Sequence, residues 1–405
     1  MITNLIKKWS LPYPVYAIIL GTLLSRFGTA MVTPYVAILL VNNKHLAYAW
    51  VGVVLAGSYI AQALGASVAN RFTSKMESFF LIQLATYFYT AIFFCLGLIS
   101  TYVTNAFFVG FGFILCFIFA GACRSIIETT GQTLMSATTP IQQKNLAFSL
   151  RYTCINIGAS LGPLVAVILG VLNSNDVFFI SALFVLIYAI ILRLTVRTKY
   201  TVSTTQNTGN LTKQFHLLLT HNKLFYFVIA SGLSYTGFTA LETLFAYTVY
   251  QYIADPTVFA TMMMINGITV VSTQMALVSY TSRFDIHYVY MAGIGLLSLG
   301  LLGVAFATTH PLIYFISMFV FTLGEILTIS LIGLYIDGIA TKEERHLFFS
   351  ISNFAMLGRV LGPPLAAILC GLYGVKITLL CIATLCLLGI PLIVKAKNAK
   401  NSPAV

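Results

Sequence analysis

Apolar residues run along this chain in blocks of about twenty or more, separated by short polar connectors. A helix rises 1.5 Å per residue, so about 20 apolar residues cross the ~30 Å hydrocarbon core of a bilayer. Measured with that ruler, the blocks predict twelve helices, over approximately 14–41, 48–69, 77–99, 105–136, 147–172, 177–195, 223–250, 257–281, 287–307, 311–338, 346–372 and 375–395. One connector is long and polar: residues 197–222, RTKYTVSTTQNTGNLTKQFHLLLTHN, between the sixth and seventh blocks. The pattern therefore predicts a six-helix bundle over 1–196, a central loop over 197–222 and a second six-helix bundle over 223–405.

The two halves echo one another. Block five carries Gly158, Gly162 and Pro163, and block eleven carries Gly358, Gly362 and Pro363, each a Gly-x-x-x-Gly-Pro inside an apolar run. A shift of 200 also superposes Leu161, Ala166, Ile168 and Leu169 on Leu361, Ala366, Ile368 and Leu369. A shift of 201 just before it puts Lys144, Phe148 and Ser149 on Arg345, Phe349 and Ser350. Block one shifted by 209 places Ser25, Gly28 and Ala37 on Ser234, Gly237 and Ala246. One six-helix unit, duplicated in the same orientation, explains these matches. Glycine and proline are poor helix formers in water but frequent in bilayer helices, where small residues let helices approach closely. The repeated motif is expected to bend helices five and eleven and thin them for packing at a seam between the halves.

Composition agrees with a bilayer as solvent. Apolar residues make up 59% of the chain and charged residues 8%, against about 25% charged in soluble domains. The net charge of +12 is scattered over short connectors, which argues against a nucleic-acid surface. With the N-terminus placed in the cytoplasm, 17 Lys and Arg residues fall on the inner side, Arg151 among them, and Lys44 and Lys376 on the outer. The positive-inside rule then puts both termini and the central loop in the cytoplasm. The apolar run after Lys7 and Lys8 reads as a first transmembrane helix rather than a secretory leader, being long and interrupted by Arg26. The seven Cys lie in apolar runs without metal-type spacing and read as small hydrophobes; His216 and His221 share a loop but form no cluster. No phosphate-binding Gly-rich loop, nucleophile elbow, metal cluster or soluble domain is legible, which points to a protein that is not an enzyme and uses neither cofactor nor metal.

Charges inside apolar spans are costly and mark function by default. Here they are Arg26, Arg124, Glu128, Glu242, Glu325 and Arg359, with Asp337 near an inner end. Arg124 and Glu128 are four apart and share a helix face. The carboxylate of such a pair can exchange a proton while the guanidinium stays charged; the plainer reading is a static, self-neutralising pair. The 201-residue shift sets Glu325 against Arg124, which predicts that the two confront one another across a cavity. Arg26 could attract an anionic group or pair with Glu128 or Glu325. Glu242 lies among aromatics (SYTGFTALETLFAYTVYQY) that would suit a flat or cationic molecule, or would simply pack. Arg359 sits within the second Gly-x-x-x-Gly-Pro. Asn156 and Asn266 read as polar glue between helices.

Twelve helices in two parallel six-helix repeats, with GASLGP in helix five, resemble the major facilitator superfamily, and the resemblance covers nearly the whole chain. GASLGP (Gly158, Gly162, Pro163) is similar to that family's motif C, associated with drug/proton antiporters, with Ala166 and Val167 where a Gly pair usually follows. ASVANRFTSK resembles motif A: Arg71 and Lys75 match, while Asn70 stands for the Asp, a departure that takes a charge from the family's inner gate. Arg124 matches the motif B arginine, implicated in proton coupling. The resemblance implies an all-α integral membrane transporter working by alternating access at a midplane site, a monomer in a bacterial cytoplasmic (inner) membrane, with protons and a small molecule as partners. It favours proton-coupled efflux by antiport. Proton-coupled uptake of a nutrient, peptide or siderophore-like compound, or a non-transporting sensor or scaffold, remain as alternatives.

Overall fold

A computed structural model describes residues 11–33, 36–43, 46–73, 77–140, 143–171, 174–195, 211–340, 348 and 351–399. They are helical nearly throughout, with no strand among them. Lipid offers peptide groups no hydrogen-bond partner, so a crossing segment must satisfy its own, and a helix does so locally. Ten crossings are α1 (Tyr13–Val32), α2 (Tyr48–Thr73), α3 (Ser78–Tyr102), α4 (Ala106–Thr138), α5 (Lys144–Ile168), α6 (Asp176–Thr195), α7 (Asn222–Ala240), α8 (Pro256–Thr281), α9 (Ile286–Phe306) and α10 (Pro311–Thr328). The final apolar stretch, Asn353–Asn398, is 46 residues long, roughly 69 Å of helix and over twice the hydrocarbon thickness. Gly374, at φ 81° and ψ 167°, breaks it. Only glycine adopts that conformation cheaply. The break yields α11 (357–373) and α12 (375–387, prolonged by Gly389–Asn398). The twelve crossings predicted from the hydrophobic pattern are thus present among the described residues.

Several crossings are less regular than the pattern suggests. Past α1 the chain continues through a π turn at Leu39–Asn43, and α7 continues through a π turn at Leu241–Phe245 into Ala246–Tyr252. The 3₁₀ turn Ile329–Leu331 links α10 to Ile332–Ile339. The central connector holds a ten-residue helix, Leu211–Thr220. Helix α5 begins at Lys144, three residues before the apolar run at 147, because the helix extends past the point where hydrophobicity starts. Arg151 then lies two turns inside the helix and is 6% exposed.

The chain forms two compact units, residues 1–33 with 57–206 and residues 34–56 with 207–405. In the first unit α1 packs on α5 and α6, and α3 on α4 and α6. In the second α7 packs on α11 and α12, and α9 on α10 and α12. These are the same pairings six helices later, so the duplication read in sequence is also a duplication of packing. The segment 34–56 differs from the six-plus-six expectation by belonging to the second unit. There Gly52 lies against Pro364 and Ala367 of α11, and the Tyr48 hydroxyl donates to the Thr243 carbonyl at 3.2 Å. Large apolar side chains such as Phe88, Phe94, Phe107 and Leu312 are exposed, as lipid-facing residues are.

The repeated glycines work within each unit. A Cβ on Gly158 would stand 2.6 Å from the Arg26 Cβ, and one on Gly162 2.7 Å from the Ala30 Cβ, so both lie on α1. Gly358 and Gly362 lie on Gly232, Thr236 and Thr239 of α7 in the same manner. The close approach expected at a seam between the halves is thus made to α1 or α7 of the same unit. Pro163 and Pro363 sit inside α5 and α11, one residue past each glycine pair.

Candidate functional site

Helix α1 contributes Arg26, α4 contributes Arg124 and Glu128 one turn apart, and α5 contributes Arg151; together they line a small cavity in the first unit. Arg26 Nη2 donates to Glu128 Oε1 at 2.6 Å, and Arg124 Nε donates to the same oxygen at 3.0 Å. The carboxylate is therefore shared by two guanidiniums from different helices. Both pairs are short enough to be charge-assisted hydrogen bonds. The side chains of Arg26, Arg124 and Glu128 are 19%, 17% and 31% exposed, so the cluster is mostly shielded. The cavity volume is about 20 Å³, on the scale of one water molecule.

Arg151 changes the charge balance. No ion pair or hydrogen bond reaches it among the described residues, and its Nε is buried without an acceptor. Three guanidiniums against one carboxylate leave the cluster at +2. Such an excess in an apolar span is expensive and calls for a role. Among the described residues, Tyr89 of α3 lies within electrostatic reach of Arg26 and Glu128, and Tyr188 of α6 within reach of Arg151. The Tyr188 ring fills the space left by Gly21 on α1, and its buried hydroxyl has no hydrogen-bond partner either.

The structure brings together three of the charges singled out in sequence. Arg26 takes Glu128 as its partner, one of the two alternatives open to it, and the Arg124–Glu128 pair forms as its spacing predicts. Glu325 lies on α10 in the second unit, where Asn266 of α8 donates from Nδ2 to its Oε2 at 2.9 Å and to Thr322 Oγ1 at 3.0 Å. Asn266 thus joins α8 to α10, as polar glue should. The Arg359 guanidinium stands 5.5 Å from the centre of the Phe238 ring of α7. Glu242 falls in the π turn of the seventh crossing, a geometry frequent at functional positions, but its side chain lies outside the described residues. The side chains of Asn70 and Arg71, near the end of α2, also lie outside them. No group of three His, Cys, Asp or Glu side chains positioned to hold a metal ion occurs among the described residues.

Arg151 is the residue that sequence reasoning missed. A signal was available: it precedes Gly158 by seven residues and Gly162 by eleven, which sets it on the α5 face that meets α1.

Comparison with known proteins places these features. The model of the Major Facilitator Superfamily matches residues 18–250 and again 227–404. An uncharacterized MFS-type transporter of Bacillus subtilis (strain 168), YqjV, is 27% identical over 389 residues, covering 91% of this chain and 89% of that protein. A Na(+), Li(+), K(+)/H(+) antiporter of Planococcus maritimus is 21% identical over 277 residues, covering 62% and 65%. Among solved structures, a variant of the nucleoside transporter NupG superposes with a TM-score of 0.81 at 14% identity, over 95% of this chain and 99% of that one, a likeness of fold.

Proposed function

The chain belongs to the major facilitator superfamily, and on that premise we propose that it is a proton-coupled secondary transporter of a small charged or amphipathic molecule, working by alternating access with Glu128 as the coupling carboxylate. The observation that carries this reading is the shared oxygen: Glu128 Oε1 accepts from Arg26 at 2.6 Å and from Arg124 at 3.0 Å. Arginine keeps its charge at any physiological pH, so the carboxylate is the member of the trio that can change state. Protonating it removes both ion pairs and raises the cluster from +2 to +3. Because Arg26 and Arg124 belong to different helices, proton occupancy is tied to whether α1 and α4 are braced to one another. A carrier needs such a link between an ion and a conformation. Glu325, held by Asn266, is a second candidate proton site in the other unit.

Direction follows from the substrate's charge. A protonated cluster repels a cation, which gives exchange, and the first reading is export by antiport. The Gly158–Gly162–Pro163 motif and the cation/proton antiporter among the relatives support it. The second reading is uptake by symport, favoured by the unpaired Arg151, since a protonated cluster attracts an anion. The excess of Lys and Arg on one side supports a bacterial cytoplasmic membrane with both termini inside. The test is small-molecule profiling of cells and medium with the gene deleted and overexpressed. A compound retained by the deletion strain establishes export; one stranded in its medium establishes uptake; no difference in any compound removes the transport reading.

A further inference from the structure

We infer that the cavity beside Arg26, Arg124 and Arg151 receives one anionic head group of the transported molecule, a carboxylate or an acid of similar size, with Arg151 as its anchor, and that this anion and a proton bind together. The inference rests on the proton-coupled reading above and names the substrate class for the same site.

Three observations lead there. The cluster carries +2, so an anion lowers its charge, whereas a cation raises it. Its unsatisfied charged group is a pure donor: Arg151 Nε is buried without an acceptor in a residue 6% exposed. Buried donors left without acceptors are costly, and a ligand supplying acceptor oxygens removes that cost. A guanidinium fork matches the two oxygens of a carboxylate. The cavity, about 20 Å³, has room for about one water, so a carboxylate gains its place only as Glu128 yields the guanidiniums, and the remainder of the substrate extends beyond it.

The coupling sign then follows from the shared oxygen. An anion entering beside Arg26 and Arg124 competes with Glu128 for both guanidiniums. A carboxylate deprived of its cations takes up a proton more readily. Tyr89 and Tyr188, the titratable neighbours of the cluster among the described residues, carry no charge at neutral pH that would reverse this. Anion binding therefore promotes protonation of Glu128, and by reciprocity protonation tightens anion binding. Proton and anion load the same state and move in the same direction. For an inward proton gradient that is uptake, the second of the two directions.

The experiment uses the purified full-length chain at constant ionic strength. Probes are short and aromatic monocarboxylates, their methyl esters of equal carbon skeleton, and matched amines. Binding is read by calorimetry, and proton exchange by a pH dye in weak buffer. The expected result is saturable binding of at least one carboxylate but not its ester, tighter at lower pH, with up to one proton taken up per anion. Arg151→Gln should weaken it about tenfold or more, and Arg151→Lys less, as the charge stays and the fork is lost. Thermal melts of both variants establish that they fold. Equal binding of acid and ester, proton release, unchanged affinity in folded Arg151→Gln, or no carboxylate bound would each overturn the inference. Failure here is separable from failure of coupled transport. If amines or esters bind and their flux still depends on Glu128, the anion fails and coupling stands. If flux in Glu128→Gln still draws on the proton gradient, coupling fails whatever binds.

Discussion

Gly158 lies against Arg26: a Cβ added to the glycine would stand 2.6 Å from the Cβ of the arginine and 2.8 Å from the Leu23 carbonyl oxygen. The most conspicuous motif in the sequence and one of its charges within an apolar span are therefore parts of one contact. The missing side chain lets α5 settle on α1 beside the residue that holds Glu128, and it brings Arg151, two turns earlier on α5, to the same cavity.

Filling that contact should disturb both fold and site. Gly158→Ala is expected to cost about 1–3 kcal/mol from overpacking and to lower the melting temperature in detergent. Gly371→Ala in α11, where nothing lies within 4 Å of an added Cβ, should be neutral or stabilising by up to about 1 kcal/mol. Equal melting temperatures for the two variants would contradict this account of the motif.

Asn266 should matter through Glu325. Asn266→Ala removes two donated hydrogen bonds between α8 and α10, at an expected cost of about 0.6–2 kcal/mol. Asn266→Asp sets a second carboxylate against Glu325. The two carboxylates repel one another, so this variant should melt below Asn266→Ala. Thermal melts check both points.

Asp285 caps α9. Its Oδ1 accepts from the His287 N–H at 2.9 Å and meets the His287 ring at 2.7 Å, while Lys397 reaches Oδ2 at 3.0 Å. The His287 backbone N–H first, and the Lys397 ammonium after it, hold the carboxyl well below the usual carboxylate range. A depressed folded-state value means that this contribution is complete above the unfolded value of about 4 and fades as pH falls below it. Asp285→Ala should cost about 0.5–1 kcal/mol near neutral pH, at the low end for a helix cap because the site is exposed. It should also flatten the acid side of the stability profile; melts between neutral and acid pH would show either.

Much of this molecule is legible in its sequence, for reasons particular to lipid. The twelve crossings can be read because hydrocarbon demands about twenty apolar residues per helix, whatever the tertiary contacts. Arg124 and Glu128 can be paired because four residues are one helical turn. What stays hidden depends on the third dimension. Spacing shows that Gly158 and Gly162 form a small face but not that α1 covers it. Arg26 has two acidic candidates in sequence, and helix packing selects Glu128. The π turn over LETLF carries no Gly or Pro to announce it. Arg151 counts in sequence only as one more basic residue of the inner side, and packing alone shows that it is buried beside Arg26, Arg124 and Glu128.

The most direct test of the central claim is proton-driven accumulation in proteoliposomes, comparing the unaltered chain with Glu128→Gln and using the compound identified by cell profiling. The amide keeps the shape of the carboxylate and cannot release a proton. The unaltered chain should move the compound against its gradient when a pH gradient is imposed. Glu128→Gln should still exchange the compound down its own gradient yet fail to accumulate it. Gradient-driven accumulation by Glu128→Gln equal to that of the unaltered chain would contradict the assignment of Glu128 as the coupling carboxylate.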